Sequence, residues 1–294
     1  MRGDRWLKVL LRASGAGTAP LALSILITLI FGSLPAIKKF GLHFLSSSVW
    51  NPVTDHFGLL PFLMGTILTS ILALLLSFPF SMAISIFLGV YHPEGPLSKI
   101  ISYLTDLLAG IPSVIYGFWG LVFLVPLMRK LELSLGIPPY GVGILTASIV
   151  LSIMIIPYTA SLSREILKMV PSEIVEASYS LGATTTETIL KVILPYAKSG
   201  ILAGIFLSLG RAIGETMAVT MVIGNSNTLP SSLFAPGNTM ASVIANEFTE
   251  ATRSIHLSSL IYIALWLFVL TLLVNLAGNI IVTRMEVIGE KKNL

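Results

Sequence analysis

Six apolar runs dominate this chain, at about 16–37, 59–91, 97–128, 140–161, 200–224 and 257–282. A helix needs about 20 apolar residues to cross the hydrocarbon of a bilayer, and every run reaches that length. With 54% hydrophobic and only 11% charged residues, and a mean hydropathy of +0.90, the chain cannot cover a water-soluble surface. The expected fold is an all-α polytopic membrane protein of six transmembrane helices.

Turn chemistry supplies the punctuation. Arg2, Arg5, Lys8 and Arg12 precede the first run, which is longer than the apolar region of a secretory signal, so an uncleaved first helix is expected. Residues 38–58 read as a polar connection with Trp50 at the membrane interface. Pro79 is a candidate kink in the second span, and His92-Pro93-Glu94-Gly95-Pro96 a tight turn after it. Gly110-Ile111-Pro112-Ser113 interrupts the third segment, and a polar stretch, 225–256, precedes the sixth.

Leaving aside Arg211, the lysines and arginines divide unequally. The side of both termini carries Arg2, Arg5, Lys8, Arg12, Lys99, Arg164, Lys168, Lys191, Lys198, Arg284, Lys291 and Lys292; the other carries Lys38, Lys39, Arg129, Lys130 and Arg253. Positive charge is retained on the cytoplasmic side, so both termini and the loop after the fourth span are expected there. The pI near 9.3 is accounted for by these flanks, not by nucleic-acid binding. No P-loop, and not even a Gly-Lys pair, occurs, so nucleotide chemistry would belong to a partner. Cysteine is absent, which removes disulfides, thiol catalysis and thiolate metal sites. His43, His56, His92 and His256 have no metal-ligand spacing.

Residues 171–195 form the longest charge-bearing interval between apolar runs. Ser172 is placed to cap a short helix, and Gly182 sits where a left-handed residue ends one. Thr184 and Glu187 form an S/T-x-x-E capping box for a second short helix running to Pro195. A helix, a glycine bend and a helix would protrude from the bilayer as a fixed docking shape.

Glu176-Ala177-Ser178, then Gly182, then Val192-Ile193-Leu194-Pro195 resemble the E-A-A…G…I-x-L-P loop of permease subunits in bacterial ABC importers, with Ser178 for the second Ala and Val192 for the first Ile. The resemblance implies a type I ABC importer permease fold and a coupling helix that fits a groove on the ATPase. It makes Glu176, Ala177, Ser178, Gly182, Leu194 and Pro195 the coupling residues. It also divides the chain into an N-terminal segment with the first helix and a periplasmic loop, 1–58, a transmembrane domain, 59–285, and a cytoplasmic tail, 286–294.

The fifth span holds Arg211 and Glu215, four residues apart in an otherwise apolar and small-residue run. Each charge costs a few kcal/mol or more at mid-membrane, so both are expected to face protein or water, and within one helix they can pair with each other. Two uses stay open: a place in a transport path, or an internal ion pair that locks helix packing. Gly200 with Gly204, and Gly210 with Gly214, are small-x-x-x-small pairs suited to close helix approach.

Arg211-Ala212-Ile213-Gly214-Glu215-Thr216-Met217-Ala218-Val219 is similar to the R-A-x-G-E-T-M-A-V run of PstC-type permeases of phosphate importers. The proline that follows G-E-T in PstA-like sister subunits is absent. Gly110-Ile111-Pro112-Ser113 and Tyr116-Gly117 also resemble the phosphate permeases, and the likeness extends over about 60–285. It implies alternating access in the bacterial inner membrane, with a PstA-like second permease as heterodimer partner and two PstB-like ATPase copies. ATP and Mg belong to those ATPases, with no cofactor in this chain and no reaction catalysed by it. A periplasmic phosphate-binding protein would dock on the outer loops. Arg211 would then contact the anion, with Glu215 positioning it. Thr216, Ser113 and Tyr116 would be neutral donors unless their hydroxyls serve their own helix backbones. A permease for molybdate or sulfate, or an ion-coupled secondary transporter, is the alternative.

Overall fold

The computed structural model describes residues 2–292, with side chains for 20–283. Among the described residues every named element is a helix. In chain order they are α1 (Arg2–Phe40), α2 (Leu60–Tyr91), α3 (Pro96–Gly110), α4 (Ser113–Ser134), α5 (Ile144–Lys168), α6 (Ser172–Ser180), α7 (Thr185–Ile213), α8 (Met217–Val222), α9 (Met240–Glu247) and α10 (Ser254–Lys292). A single helical turn, His43–Ser46, lies between α1 and α2. Six of these helices are long and apolar enough to cross a membrane: α1, α2, α4, α5, α7 and α10. The expected all-helical, six-span architecture is therefore present. Arg2, Arg5, Lys8, Arg12, Arg284, Lys291 and Lys292, on which the orientation argument leans, have side chains outside the described residues.

α2 and α5 pack along their lengths at the centre, with α7 beside both and α1 against α10. The central contact is lined by small hydroxyl residues: Thr66, Thr69, Ser70, Ser77, Ser81 and Ser85 of α2, and Ser148, Ser152, Thr159 and Ser163 of α5 are buried. Small side chains let membrane helices approach closely where no hydrophobic effect drives them together. Most of these hydroxyls return to a carbonyl one turn back, as Ser81 Oγ does to Ser77 O at 2.9 Å and Ser148 Oγ to Ile144 O at 2.7 Å. Ser70 and Ser163 are the exceptions, their Oγ atoms buried without a hydrogen-bond partner among the described residues; the others that bond back to their own helix are satisfied locally. Thr159 and Ser208 hydrogen-bond across α5 and α7 at 2.6 Å.

The expected break in the third segment is present: Ile111 is extended (φ −69°, ψ 126°) and a new helix starts after Pro112, because proline disfavours helical geometry in the residue before it. Only α4 is a span. The expected fifth span begins earlier and breaks sooner, since α7 runs from Thr185 to Ile213 and α8 resumes at Met217. The second short helix of the 171–195 element is hence the first turns of α7. Gly200 and Gly204 of α7 face α5, where a Cβ on Gly200 would lie 2.5 Å from Ile166. Gly210 meets Asn275 of α10, while Gly214 has no comparable neighbour. Trp50, expected at the interface, is buried with Phe57, Phe62, Met240 and Leu260 in a cluster at the end of the bundle opposite α6. The 225–256 stretch contains α9, and Pro79, the candidate kink, lies inside the second span.

Candidate transport and coupling sites

Two helix breaks meet around Arg211. α3 stops at Gly110, which leaves its last carbonyls without helical partners. Tyr116 Oη donates to Leu108 O at 2.7 Å and Tyr158 Oη donates to Ala109 O at 3.2 Å. The second bond tethers the Tyr158 ring, and the Arg211 guanidinium lies over it, 4.3 Å from the ring centroid. A guanidinium over a ring face is held by the ring quadrupole while its edge N–H donors stay free to face an anion. Arg211 is exposed on the chain.

Glu215 is not the partner of Arg211. Gly214 ends α7, so the two residues do not share one continuous helix, and no ion pair joins them among the described residues. Glu215 Oε1 instead accepts the backbone N–H of Ala218 at 3.1 Å. The carboxylate satisfies a first-turn donor of α8 at the positive end of that helix. The ion pair that i,i+4 spacing would allow gives way to a helix cap because the helix is interrupted between the two residues.

Of the neutral candidates, Tyr116 and Thr216 donate to backbone carbonyls, Thr216 Oγ1 to Gly214 O at 3.2 Å. Tyr116 is buried, whereas Ser113 is half-buried at the start of α4, with no side-chain hydrogen bond among the described residues. Asp106 is exposed on α3. Tyr158, which holds Arg211, escaped the sequence reading because nothing local to it marks an aromatic as an arginine platform.

At the α6 end, the capping box is present: Thr184 Oγ1 accepts from Glu187 N at 3.3 Å and Glu187 Oε2 accepts from Thr184 N at 3.1 Å. Gly182 has φ +84°. Ser172, expected as the cap of α6, is its first residue, with Pro171 at the cap and no side-chain bond. Ser178 and Thr188 hydrogen-bond at 3.0 Å, which ties α6 to α7. Glu176, Ala177 and Pro195 are exposed, while Leu194 is half-buried against the cluster of Leu167, Ile189 and Ile193. Leu181, not among the expected coupling residues, projects at the tip with 90% of its surface exposed. A lone apolar side chain on an otherwise polar bend was its only sequence signal.

The sequence and the fold resemble those of other proteins. The chain is 43% identical over 277 residues, 89% of its length and 84% of the relative's, to the "Phosphate transport system permease protein PstC" of Mesorhizobium japonicum. It is 42% identical over 278 residues, 90% of its length and 88% of the relative's, to the protein of that name in Haemophilus influenzae. Among solved structures, an inward-facing MetNI methionine ABC transporter chain is similar with a TM-score of 0.62 at 18% identity, covering 81% of this chain and 99% of that one. The type I ABC importer permease fold expected from the sequence is thereby shown, in a multi-pass protein of the cytoplasmic membrane. Residues 81–287 match the family model described as "Binding-protein-dependent transport system inner membrane component", and the chain belongs to that family.

Proposed function

We propose that this chain is a permease subunit of an ATP-driven importer and carries inorganic phosphate by alternating access. The observation behind the reading is the Arg211 guanidinium, held by Tyr158 at the break of the fifth span, in a chain whose relatives bear the phosphate permease name. Phosphate near neutral pH is a mono- and dianion, and a forked, permanently charged donor suits its oxygens. Arg211 is the anion contact; Glu215 stabilises the break that places it. A PstA-like permease completes the membrane unit, and two PstB-like ATPases, which bind the ATP and Mg, engage α6 and the Gly182 bend of each half from the cytoplasm. A periplasmic phosphate-binding protein delivers the ion at the opposite end. Nucleotide-driven closure of the ATPases moves α6, and the rigid α6–α7 connection through Ser178 and Thr188 passes that motion to Arg211.

The test is phosphate uptake into proteoliposomes holding the assembled complex. Uptake is expected to require ATP inside the cytoplasmic-facing compartment, to ignore ion gradients, and to vanish in Arg211→Gln while the subunits still co-purify. Uptake driven by an ion gradient without ATP, or wild-type kinetics in Arg211→Gln, would refute the reading; preferential uptake of sulfate or molybdate would move the substrate to another oxyanion.

A further inference from the structure

The contact between α3 and α5 that carries Tyr158 continues toward the α6 end of the bundle into a cleft lined by Lys99, Ser102 and Tyr103 of α3 and by Arg164 of α5. Arg164 lies six residues beyond Tyr158 on the same helix, about 9 Å along its axis at 1.5 Å per residue. The cleft holds about 160 Å³, roughly five waters at ~30 Å³ each, so one tetrahedral oxyanion fits with part of its hydration.

Arg164 is incompletely used by the protein. Its Nη1 donates to Ser102 Oγ at 2.6 Å. Its Nε is buried without a hydrogen-bond partner, 3.6 Å from Glu165 Oε1 on a side chain that is 61% exposed. Arg164 lines the cleft, and its guanidinium carries five N–H donors, more than Ser102 alone takes up. Lys99 is exposed beside it, and Asp106 stands further in, where the cleft continues past Ser102 and Thr105. Lys99 and Arg164 are the cations that line the cleft, with the Glu165 and Asp106 carboxylates beside Arg164. Basic pockets between helices at the cytoplasmic membrane surface are suited to phosphoryl groups.

We infer that the Lys99–Arg164 cleft is a second oxyanion site, distinct from Arg211, that takes a phosphate group. The group is either the transported ion leaving toward the α6 end or the headgroup of an anionic phospholipid. The first source rests on the transport reading above; the second does not.

The experiment measures the rate of amine labelling at Lys99, by mass spectrometry, in the assembled wild-type complex. In neutral detergent at constant ionic strength, inorganic phosphate replaces chloride; in a parallel arm, nanodiscs of phosphatidylglycerol replace phosphatidylcholine. Labelling is expected to slow about threefold, the factor 1 + [L]/Kd for a ligand at twice its Kd, in the phosphate arm for the free ion or in the phosphatidylglycerol arm for the lipid. Arg164→Gln is expected to abolish that protection, and Arg211→Gln to leave it in place even where uptake is lost. Unchanged labelling in both wild-type arms overturns the inference without touching the role of Arg211, as does full protection in Arg164→Gln. Loss of protection in Arg211→Gln would merge the two sites and overturn the claim that they are distinct.

Discussion

Arg211 lies over the ring of Tyr158, 4.3 Å from guanidinium carbon to centroid, and the ring is tethered to the carbonyl of Ala109. The Gly110–Pro112 break of one segment therefore builds the platform for an arginine in another. Tyr158→Leu is expected to raise the KM for phosphate by roughly 2- to 5-fold, the equivalent of about 0.5–1 kcal/mol for a cation–π contact at an exposed site. Tyr158→Phe, which keeps the ring face, should stay much closer to wild type. Uptake kinetics on reconstituted complex decide this, and equal KM values for Leu and Phe would remove the ring from the argument.

Glu215 acts on backbone, and its variants should separate charge from capping. Glu215→Ala removes the acceptor of the Ala218 N–H and is expected to speed amide exchange across α8, Met217–Val222, by roughly 2- to 30-fold, in line with about 0.5–2 kcal/mol for a helix cap. Glu215→Gln keeps a carbonyl oxygen at that position and should exchange more slowly than the alanine variant. Hydrogen exchange with mass spectrometry reads the difference. If all three proteins exchange alike, the carboxylate does not hold α8.

The number of spans was legible because length and hydropathy are summed over many residues, and Gly182, the capping box and the Gly110–Pro112 break were legible because their signals are local. Helix ends were less so. The start of α7 at Thr185 was read as a separate short helix because its polar first turns resemble a loop, although the continuing backbone hydrogen bonds make one helix. The Arg211–Glu215 ion pair failed for a related reason: i,i+4 spacing places two side chains on one face only while the helix persists, and it stops at Gly214. Tyr158 and Trp50 were missed as partners because their roles come from tertiary contacts with residues far away in sequence.

Gly182 and Leu181 make the proposed coupling role of the bend testable without disturbing the bundle. Nothing lies within 4 Å of a Cβ built on Gly182, but its φ of +84° is strained for other L-residues, by roughly 1–2 kcal/mol in the left-handed region, with asparagine the best tolerated. Gly182→Asn should therefore keep ATPase co-purification and transport, and Gly182→Val should weaken both. Leu181→Asp changes an exposed tip and should leave thermal stability within about 0.5 kcal/mol, as surface substitutions usually do, while reducing ATPase retention. Full retention in both Gly182→Val and Leu181→Asp would take the bend out of the coupling contact.

At the end opposite α6, Glu247 organises the connections between helices. Its Oε1 accepts from Asn227 Nδ2 at 2.7 Å, and its Oε2 from Trp50 Nε1 at 2.9 Å, with His256 Nε2 also 2.9 Å from Oε2. One carboxylate thus joins the α1–α2 connection, the loop after α8, α9 and α10. Asn227 Oδ1 in turn accepts from Asn238 Nδ2 at 2.8 Å, next to Thr239, the cap of α9. Glu247→Leu is expected to destabilise the complex by about 2–5 kcal/mol, because each partly buried donor left unpaired costs about 1–3 kcal/mol. Glu247→Gln retains one acceptor oxygen but sets its amide N–H₂ against donors, so it should fall between wild type and Leu. Thermal unfolding of the purified complex measures the order. A Leu variant as stable as wild type would mean that these donors find water instead, and that the connections at this end are held by the Trp50, Phe57 and Phe62 cluster alone.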